Sequence, residues 1–387
     1  MLRIKIKDKN NIKILLLIVT YNSRRFVKRL CDSILSQKYD LSKIMLIIID
    51  NNSSDNTYDE FLHCIEDNIY TKNNLNYIII KLDRNVGFAP ANNIGLIVAR
   101  KILYNISDKI IIFLNPDTYI LKSNFFNIIE KILEILPFVG LSTLSGSNNI
   151  IDSIGAFVDF LGNPQDILCG VKLTNIIERN LLSKMPRLYM VPAVCFAAVA
   201  VRGNIIEHIG PLRNDYVIYF EDTEFSLRAW SSSIPVFVYR DFMVWHARGG
   251  TQSPTDSPSS YAGVQTERSI MVPYHFAKNQ LLLIYEYLGF FRYFARLLLY
   301  GAISLFARRK HLALAVASSM YLIVKNRFKR RRLPRGLIMR SPRTWVAIWA
   351  LKYIIRYPHR GVNEAISYGV RRASFEYIRK KLLKYSL

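Results

Sequence analysis

The sequence predicts an α/β fold: a doubly wound, mostly parallel sheet flanked by helices, followed by a basic, amphipathic helical region. Three observations carry this. Short apolar runs alternate with helix-length segments over residues 12–114, the pattern of a parallel sheet with crossover helices. Each run stops at a polar cluster. Charge is also unevenly placed. The 387-residue chain carries +24, and residues 251–387 hold 25 Lys and Arg against five Asp and Glu. That back segment is thus +20, leaving +4 for residues 1–250. An anionic surface, either membrane or nucleic acid, is the partner such asymmetry suggests.

Taken in order, residues 1–9 are basic, and the run Ile12–Val19 after them contains Lys13 and lacks a small-residue cleavage site. It reads as a first core strand rather than a signal peptide. Thr20-Tyr21-Asn22-Ser23 breaks it, and Ser23 is placed to cap a helix reaching about Gln37. Residues 43–49 form a second strand that ends in Asp50-Asn51-Asn52-Ser53-Ser54-Asp55, with a helix after it. Tyr77–Leu82 is a third, followed by Asp83-Arg84-Asn85-Val86-Gly87-Phe88 and a helix over about 89–104. The fourth strand spans 109–114 and stops at Asn115-Pro116-Asp117, because proline cannot continue a ladder.

The polar residues at the four strand ends are Thr20 and Asn22, Asp50 and Asn51, Asp83 and Asn85, Asn115 and Asp117. In a parallel sheet these ends share one edge, where ligands bind, so four such clusters predict a nucleotide-sized crevice. No GxGxxG follows the first strand and no GxxxxGK[ST] occurs, which counts against dinucleotide and P-loop enzymes. Taken alone, Asp117 reads either as a turn-former or as a metal and phosphate anchor.

Residues 140–250 are less regular. Val191–Arg202 is read as strand plus packing against the sheet, and Val236–Tyr239 as a short strand. Glu221, Asp222 and Glu224 fall at the first turn of a predicted helix, where the dipole alone favours carboxylates. His246 stands before a glycine-containing loop, and residues 251–260 read as a mobile loop. Cys31, Cys64, Cys169 and Cys195 are widely spaced, which suits a reducing compartment. The apolar pieces Leu297–Ala307 and His311–Val324 are shorter than the ~20 residues that span a bilayer. They are expected to be interfacial or re-entrant helices. Lys325–Arg335 holds seven basic residues, and Trp345, Trp349, Tyr353 and Tyr357 alternate with Lys and Arg. That mixture suits an anionic membrane interface.

Six stretches together resemble the family 2 glycosyltransferases of the GT-A fold, in particular the rhamnosyltransferase-like branch that builds bacterial and archaeal surface polysaccharides. They are Ile18–Ser23, Ile49–Asp55, Asn85–Gly95, Leu114–Asp117, Tyr219–Arg228 and Trp245–Thr251, in the family's order. The resemblance implies a GT-A domain over 1–260, with a nucleotide-sugar half to about 120 and an acceptor half after it. A basic membrane-associating region over 261–387 would follow. It implies Mg²⁺ or Mn²⁺ held by Asp117 and completed or adjoined by His246. Thr20, Asn22, Asp50, Asp83, Asn85 and Asn115 would bind the nucleotide sugar. Asp222 would be the base of an inverting displacement and Glu221 would orient the acceptor. Asn115 stands where the family's metal motif usually has Asp, so its part as a ligand is open. Gln265–Ser269 is similar to the QxxRW motif of processive synthases but has Ser for Trp, so single addition is expected.

The expected partners are a nucleotide-sugar donor, a lipid-linked or other glycan acceptor and an anionic membrane surface, with no nucleic acid. The expected location is the cytoplasmic face of the cell membrane. Two other readings stand beside this one: a different Rossmann-type nucleotide-binding enzyme, and a nucleic-acid-binding protein that uses the basic tail.

Overall fold

The computed structural model describes residues 1–67, 74–146, 149–159, 161–178, 180–248 and 271–338. The loop expected over 251–260, the Gln265–Ser269 stretch and the Trp345–Tyr357 segment of the tail lie outside the described residues.

The first half contains β1 (Leu2–Lys5), β2 (Ile14–Thr20), α1 (Arg24–Leu35), β3 (Ile44–Asp50), α2 (Thr57–Glu66), β4 (Asn76–Lys81), α3 (Phe88–Leu103) and β5 (Ile110–Leu114). Next come β6 (Thr118–Ile120), α4 (Phe125–Ile135), β7 (Phe138–Ser145), β8 (Ile150–Ser153), β9 (Ala156–Val158), β10 (Pro164–Asp166), α5 (Leu173–Glu178), α6 (Leu181–Lys184) and β11 (Leu188–Met190). They are followed by β12 (Ala198–Arg202), α7 (Gly203–Ile209), α8 (Glu221–Ser231) and β13 (Phe237–His246). Finally there are α9 (Met271–Leu283), a π turn (Ile284–Leu288), α10 (Phe290–Phe306) and α11 (Lys310–Lys325).

The sheet order is β1-β4-β3-β2-β5-β12-β7-β13-β11, with β6 on β13 and β8 on β7. The predicted parallel sheet is its core: β4, β3, β2 and β5 run parallel. β7 and β13 form a second parallel pair, and antiparallel strands complete the sheet. The continuous apolar runs follow from burial on both faces. In β2, Ile14, Leu16 and Ile18 enter one core with α1, α2 and α4, whereas Leu15, Leu17 and Val19 enter another with α3, α7 and α8. Alternation by two decides which residue faces which helix layer.

Several elements differ from the sequence reading. β1 is an additional edge strand, antiparallel to β4. Ser23 precedes α1, but its hydroxyl donates to the Tyr21 carbonyl and makes no side-chain cap. The strand within Val191–Arg202 is confined to β12. The short strand at 236–239 is part of the ten-residue β13, which bulges between Tyr239 and Val244. The bulge lets one strand pair with β7 and also bring His246 opposite Thr118 on β6.

α9 and the π turn form a third core with Tyr216, Phe220, Leu227, Ala156 and Val158. They thus pack directly on the sheet domain. α10 and α11 leave large apolar side chains outward: Phe291 is 88% exposed and Phe306 89%. Among the described residues, no helix is long and apolar enough to cross a membrane.

Candidate active site

The strand ends converge as predicted, but the side chains divide into supports and lining. Thr20 and Asp50, expected to touch the nucleotide, are both fully buried. The Thr20 hydroxyl donates to Asp50 at 2.8 Å, and Ser53 gives Asp50 its amide and its hydroxyl. This carboxylate is spent on tying β2 to the loop after β3. The pair lies buried beneath the strand ends, with these hydrogen bonds made inside the protein. Asn22 is half-buried with φ 49°, and its side-chain oxygen accepts from the Ser54 amide at 2.9 Å. Asp83 and Asn85 are exposed. Asn85 accepts from the Asn51 amide group at 2.8 Å and from Gly87 N–H at 2.9 Å.

Asn51, a strand-end residue with no separate role in the sequence reading, clamps two loops. Its oxygen accepts from Val86 N–H while its amide reaches Asn85 and the Gly87 carbonyl. Gly87, at φ 93°, is needed here for space: a Cβ would sit 2.8 Å from the Val217 carbonyl oxygen. The Ala89 N–H donates to that carbonyl, and Asn93 donates to Leu212 O and Asn214. The Asn85–Gly95 stretch thereby holds the 212–217 segment close.

Asn115-Pro116-Asp117 is a turn closed by the Thr118 hydroxyl, which donates to the Asn115 carbonyl at 2.7 Å. Asn115 N–H donates to Ala197 O and Ala247 N–H to Asp117 O, so the turn is pinned to the segment before β12 and to the end of β13. Asp117 and His246 are each 7% exposed. His246 Nε2 lies 3.4 Å from Asp117 Oδ1. On the other side of the ring, Nδ1 donates to Asp152 at 2.9 Å.

Asp152 lies on β8, and no motif in the sequence marks it. It is fully buried and accepts from Thr143 at 2.7 Å and from Arg248 Nε. Arg248 also pairs with Asp166 at 2.5 Å. Burial works against the charge on Asp152, but Arg248 and His246 overcome it and hold the carboxyl well below the usual range. Burial likewise opposes charge on His246, and Asp117 and Asp152 outweigh it, raising the imidazole to about 10. No spacing rule could have found Asp152, since it lies 94 residues from His246.

Glu221 and Asp222 open α8 and have no ion-pair partner among the described residues. Asp222 accepts from the Thr223 N–H at 2.6 Å and from its hydroxyl at 3.1 Å. Glu221 Oε2 is buried without a hydrogen-bond partner among the described residues. Burial, and then Asp222, push Glu221 up to about 8. Burial raises Asp222 to about 6, with Asp166 adding to it and Thr223 opposing. Perturbed carboxyls in a crevice are what acid–base chemistry needs. Glu224, read with them in the sequence, instead pairs with Arg228 at 3.0 Å in the interior.

The residues fit a divalent cation in part. Asp117 and His246 converge, and Asn115 Oδ1 is buried with no hydrogen-bond partner among the described residues. No group of three or more His, Cys, Asp or Glu is set to hold a metal among those residues. This donor set suits an ion that takes its other ligands from a substrate phosphate, and an imidazole beside a carboxylate suits Mn²⁺. Ligation through Nε2 displaces the proton held there.

Residues 16–145 match the family model described as glycosyl transferase family 2. A search of curated proteins gave no match. Among solved structures, GalNAc-T7 with UDP, GalNAc and Mn²⁺ is similar, with 15% identity and a TM-score of 0.53. That match covers 83% of this chain and 59% of the GalNAc-T7 chain. The mannosyltransferase PcManGT from Pyrobaculum calidifontis, in complex with GDP-Man and Mn²⁺, is matched at 12% identity and TM-score 0.48, over 98% of this chain and 90% of that one. S. aureus TarS 1–349 in complex with UDP-GlcNAc is matched at 16% identity and TM-score 0.46, over 95% and 92%. Residues 16–145 are thus similar to family 2 glycosyltransferases, and the fold of the chain is GT-A.

Proposed function

We propose that the protein moves one sugar, with inversion, from a nucleotide-sugar donor to a glycan acceptor, in the service of surface polysaccharide or glycoconjugate synthesis. The observation that carries this is the pairing of two unlike clusters in one domain. Asp117 and His246 converge, the Asn115 side-chain oxygen is buried with no hydrogen-bond partner among the described residues, and the buried Glu221 and half-buried Asp222 are carboxyls with raised pKa.

Asp117 and His246 would hold Mg²⁺ or Mn²⁺, with Asn115 adjoining. When bound, the cation stabilises the charge that gathers on the departing diphosphate. Asn22, Asp83 and Asn85 line the donor crevice, and Asp50 with Thr20 supports it from beneath. Asp222 takes the proton from the acceptor hydroxyl as the new bond to the anomeric carbon forms. Its raised pKa keeps it a competent base near neutral pH. Glu221, with one oxygen lacking a partner among the described residues, orients the acceptor by accepting a hydrogen bond or sharing its proton. The Asn-Pro-Asp turn supports the rhamnosyltransferase-like branch.

The acceptor is proposed to be lipid-linked and the enzyme to work at the cytoplasmic face of the membrane, with residues 261–387 as the associating region. The outward Phe291, Leu305 and Phe306 of α10 and the basic Lys325–Arg335 stretch support this. Apolar insertion and headgroup attraction act together at such a surface.

A panel of nucleotide sugars assayed for nucleotide release, with and without Mn²⁺ or Mg²⁺, tests the activity. One donor should respond, and only with metal; no response from any donor sinks the reading. Co-sedimentation of the full chain with anionic but not neutral liposomes tests the surface. A gel shift with nucleic acid at the same salt would favour the alternative use of the tail.

A further inference from the structure

Three non-glycine residues with positive φ stand just before Glu221 and Asp222: Val217 at φ 55°, Tyr219 at 66° and Phe220 at 67°. Such a conformation costs on the order of 1–3 kcal/mol per residue and persists only where the surroundings hold it. Three within four residues need a dedicated hold.

Asn279, on α9, supplies one. It is fully buried, and its amide nitrogen donates to the carbonyls of Tyr216 at 2.6 Å, Ile218 at 2.8 Å and Tyr219 at 2.7 Å. Two N–H groups are shared among three acceptors, so one bond is bifurcated. The neighbouring Lys278 Nζ donates to the Asp215 carbonyl, and Phe276 packs on the Phe220 ring at 5.0 Å. α9 thus grips every residue of the 215–220 turn except Val217, through backbone or ring. Val217 is held from the other side, where its carbonyl accepts from Ala89 N–H. Asn93 and Gln280 spend their amides elsewhere, on Leu212 and Asn214 and on Asn163. Aspartate at 279 would bring acceptors together with no donor between them, and serine has only one hydrogen to give.

We propose that Asn279 is a positioning residue: it fixes the 216–220 turn and, through that turn, the placement of Glu221 and Asp222. The inference rests on the reading of Asp222 as the base. It also gives the first of the C-terminal helices a part in the chemistry, separate from any role at a membrane.

Two variants of the full chain test it. Asn279→Ala removes the hold. Tyr287→Phe, in the π turn, removes a 2.9 Å bond to Glu224 inside α8 and leaves the turn untouched. Three readings are taken on each: melting temperature, donor dissociation constant and kcat for transfer. Hydrogen exchange over residues 214–222 is the fourth. Asn279→Ala is expected to speed exchange in that window and to lower kcat by ~10- to 100-fold, with donor affinity within about twofold. Tyr287→Phe is expected to lower the melting temperature and leave kcat within about twofold. If exchange over 214–222 does not change in Asn279→Ala, the inference is overturned. It is overturned equally if both variants lose kcat in proportion to lost stability. Should the wild-type chain transfer no sugar at all, the functional reading fails, and the exchange measurement still decides whether Asn279 holds the turn.

Discussion

Two sets of buried and half-buried carboxylates in this molecule are treated in opposite ways. Asp152 and Asp166 share the Arg248 guanidinium, and Asp117 and Asp152 bracket the His246 ring. Each of these carboxylates has a cationic partner, and Asp152 is held ionised. Glu221 is buried and Asp222 half-buried, they have no cation paired with them among the described residues, and their protons are held more tightly. Burying an unpaired charge is costly, so the group shifts its pKa instead. The contrast teaches where each kind of chemistry can sit. The matched set, three carboxylates to two cationic side chains, is net anionic, which suits the cation site proposed there. The unmatched set, with its raised pKa values, suits the proton transfer proposed for it.

The strongest way to break the comparison is Asp222→Asn. The amide keeps the shape and cannot take a proton. Transfer should fall by ~10²–10⁴ while donor affinity stays put. In the wild-type chain the rate should climb as pH rises through about 6, where Asp222 gives up its proton. An Asp222→Asn protein with normal transfer would end Asp222's candidacy.

The matched side should break differently. Asp152→Ala leaves Arg248 and His246 without the carboxylate that joins them. Removing one partner of a buried pair costs about 3–5 kcal/mol. We expect a large drop in melting temperature, together with weaker Mn²⁺ binding read by titration, because Nδ1 loses the acceptor that orients the ring. Unchanged stability would mean the network contributes nothing measurable.

How much of this could be read from sequence follows from how far apart the partners are in the chain. The parallel core was legible because strands such as Leu15–Val19 and Ile44–Ile49 are apolar at every position and end in polar clusters. The positions of Asp117, His246, Glu221 and Asp222 came with motifs. Their partners did not. Asp152 is 94 residues from His246, and Asn279 is 60 residues from Tyr219. Neither belongs to a local pattern, and both are ordinary residues until the topology places them. Thr20 and Asp50 show another limit: a polar strand end reads the same whether its side chain turns out or in, and the burial of both is visible only in the fold. The C-terminal helices were read by composition, and composition does not say that α9 packs on Tyr216 and Phe220.

The finest test concerns the unmatched side and uses stability alone. In the folded chain Glu221 releases its proton at about 8, well above the ~4.3 of an exposed glutamate. Between those values the folded state binds the proton more tightly than the unfolded state does. Its contribution is therefore full at low pH and is lost as pH rises through the folded pKa. Glutamine at 221 fills the same space and has no proton to lose. Glu221→Gln should thus melt higher than wild type, and the gap should widen between about pH 6 and pH 8 by on the order of 1–2 kcal/mol. A gap that is flat across that window would mean that Glu221 is not held protonated. The two sets of carboxylates would then differ in partners but not in charge.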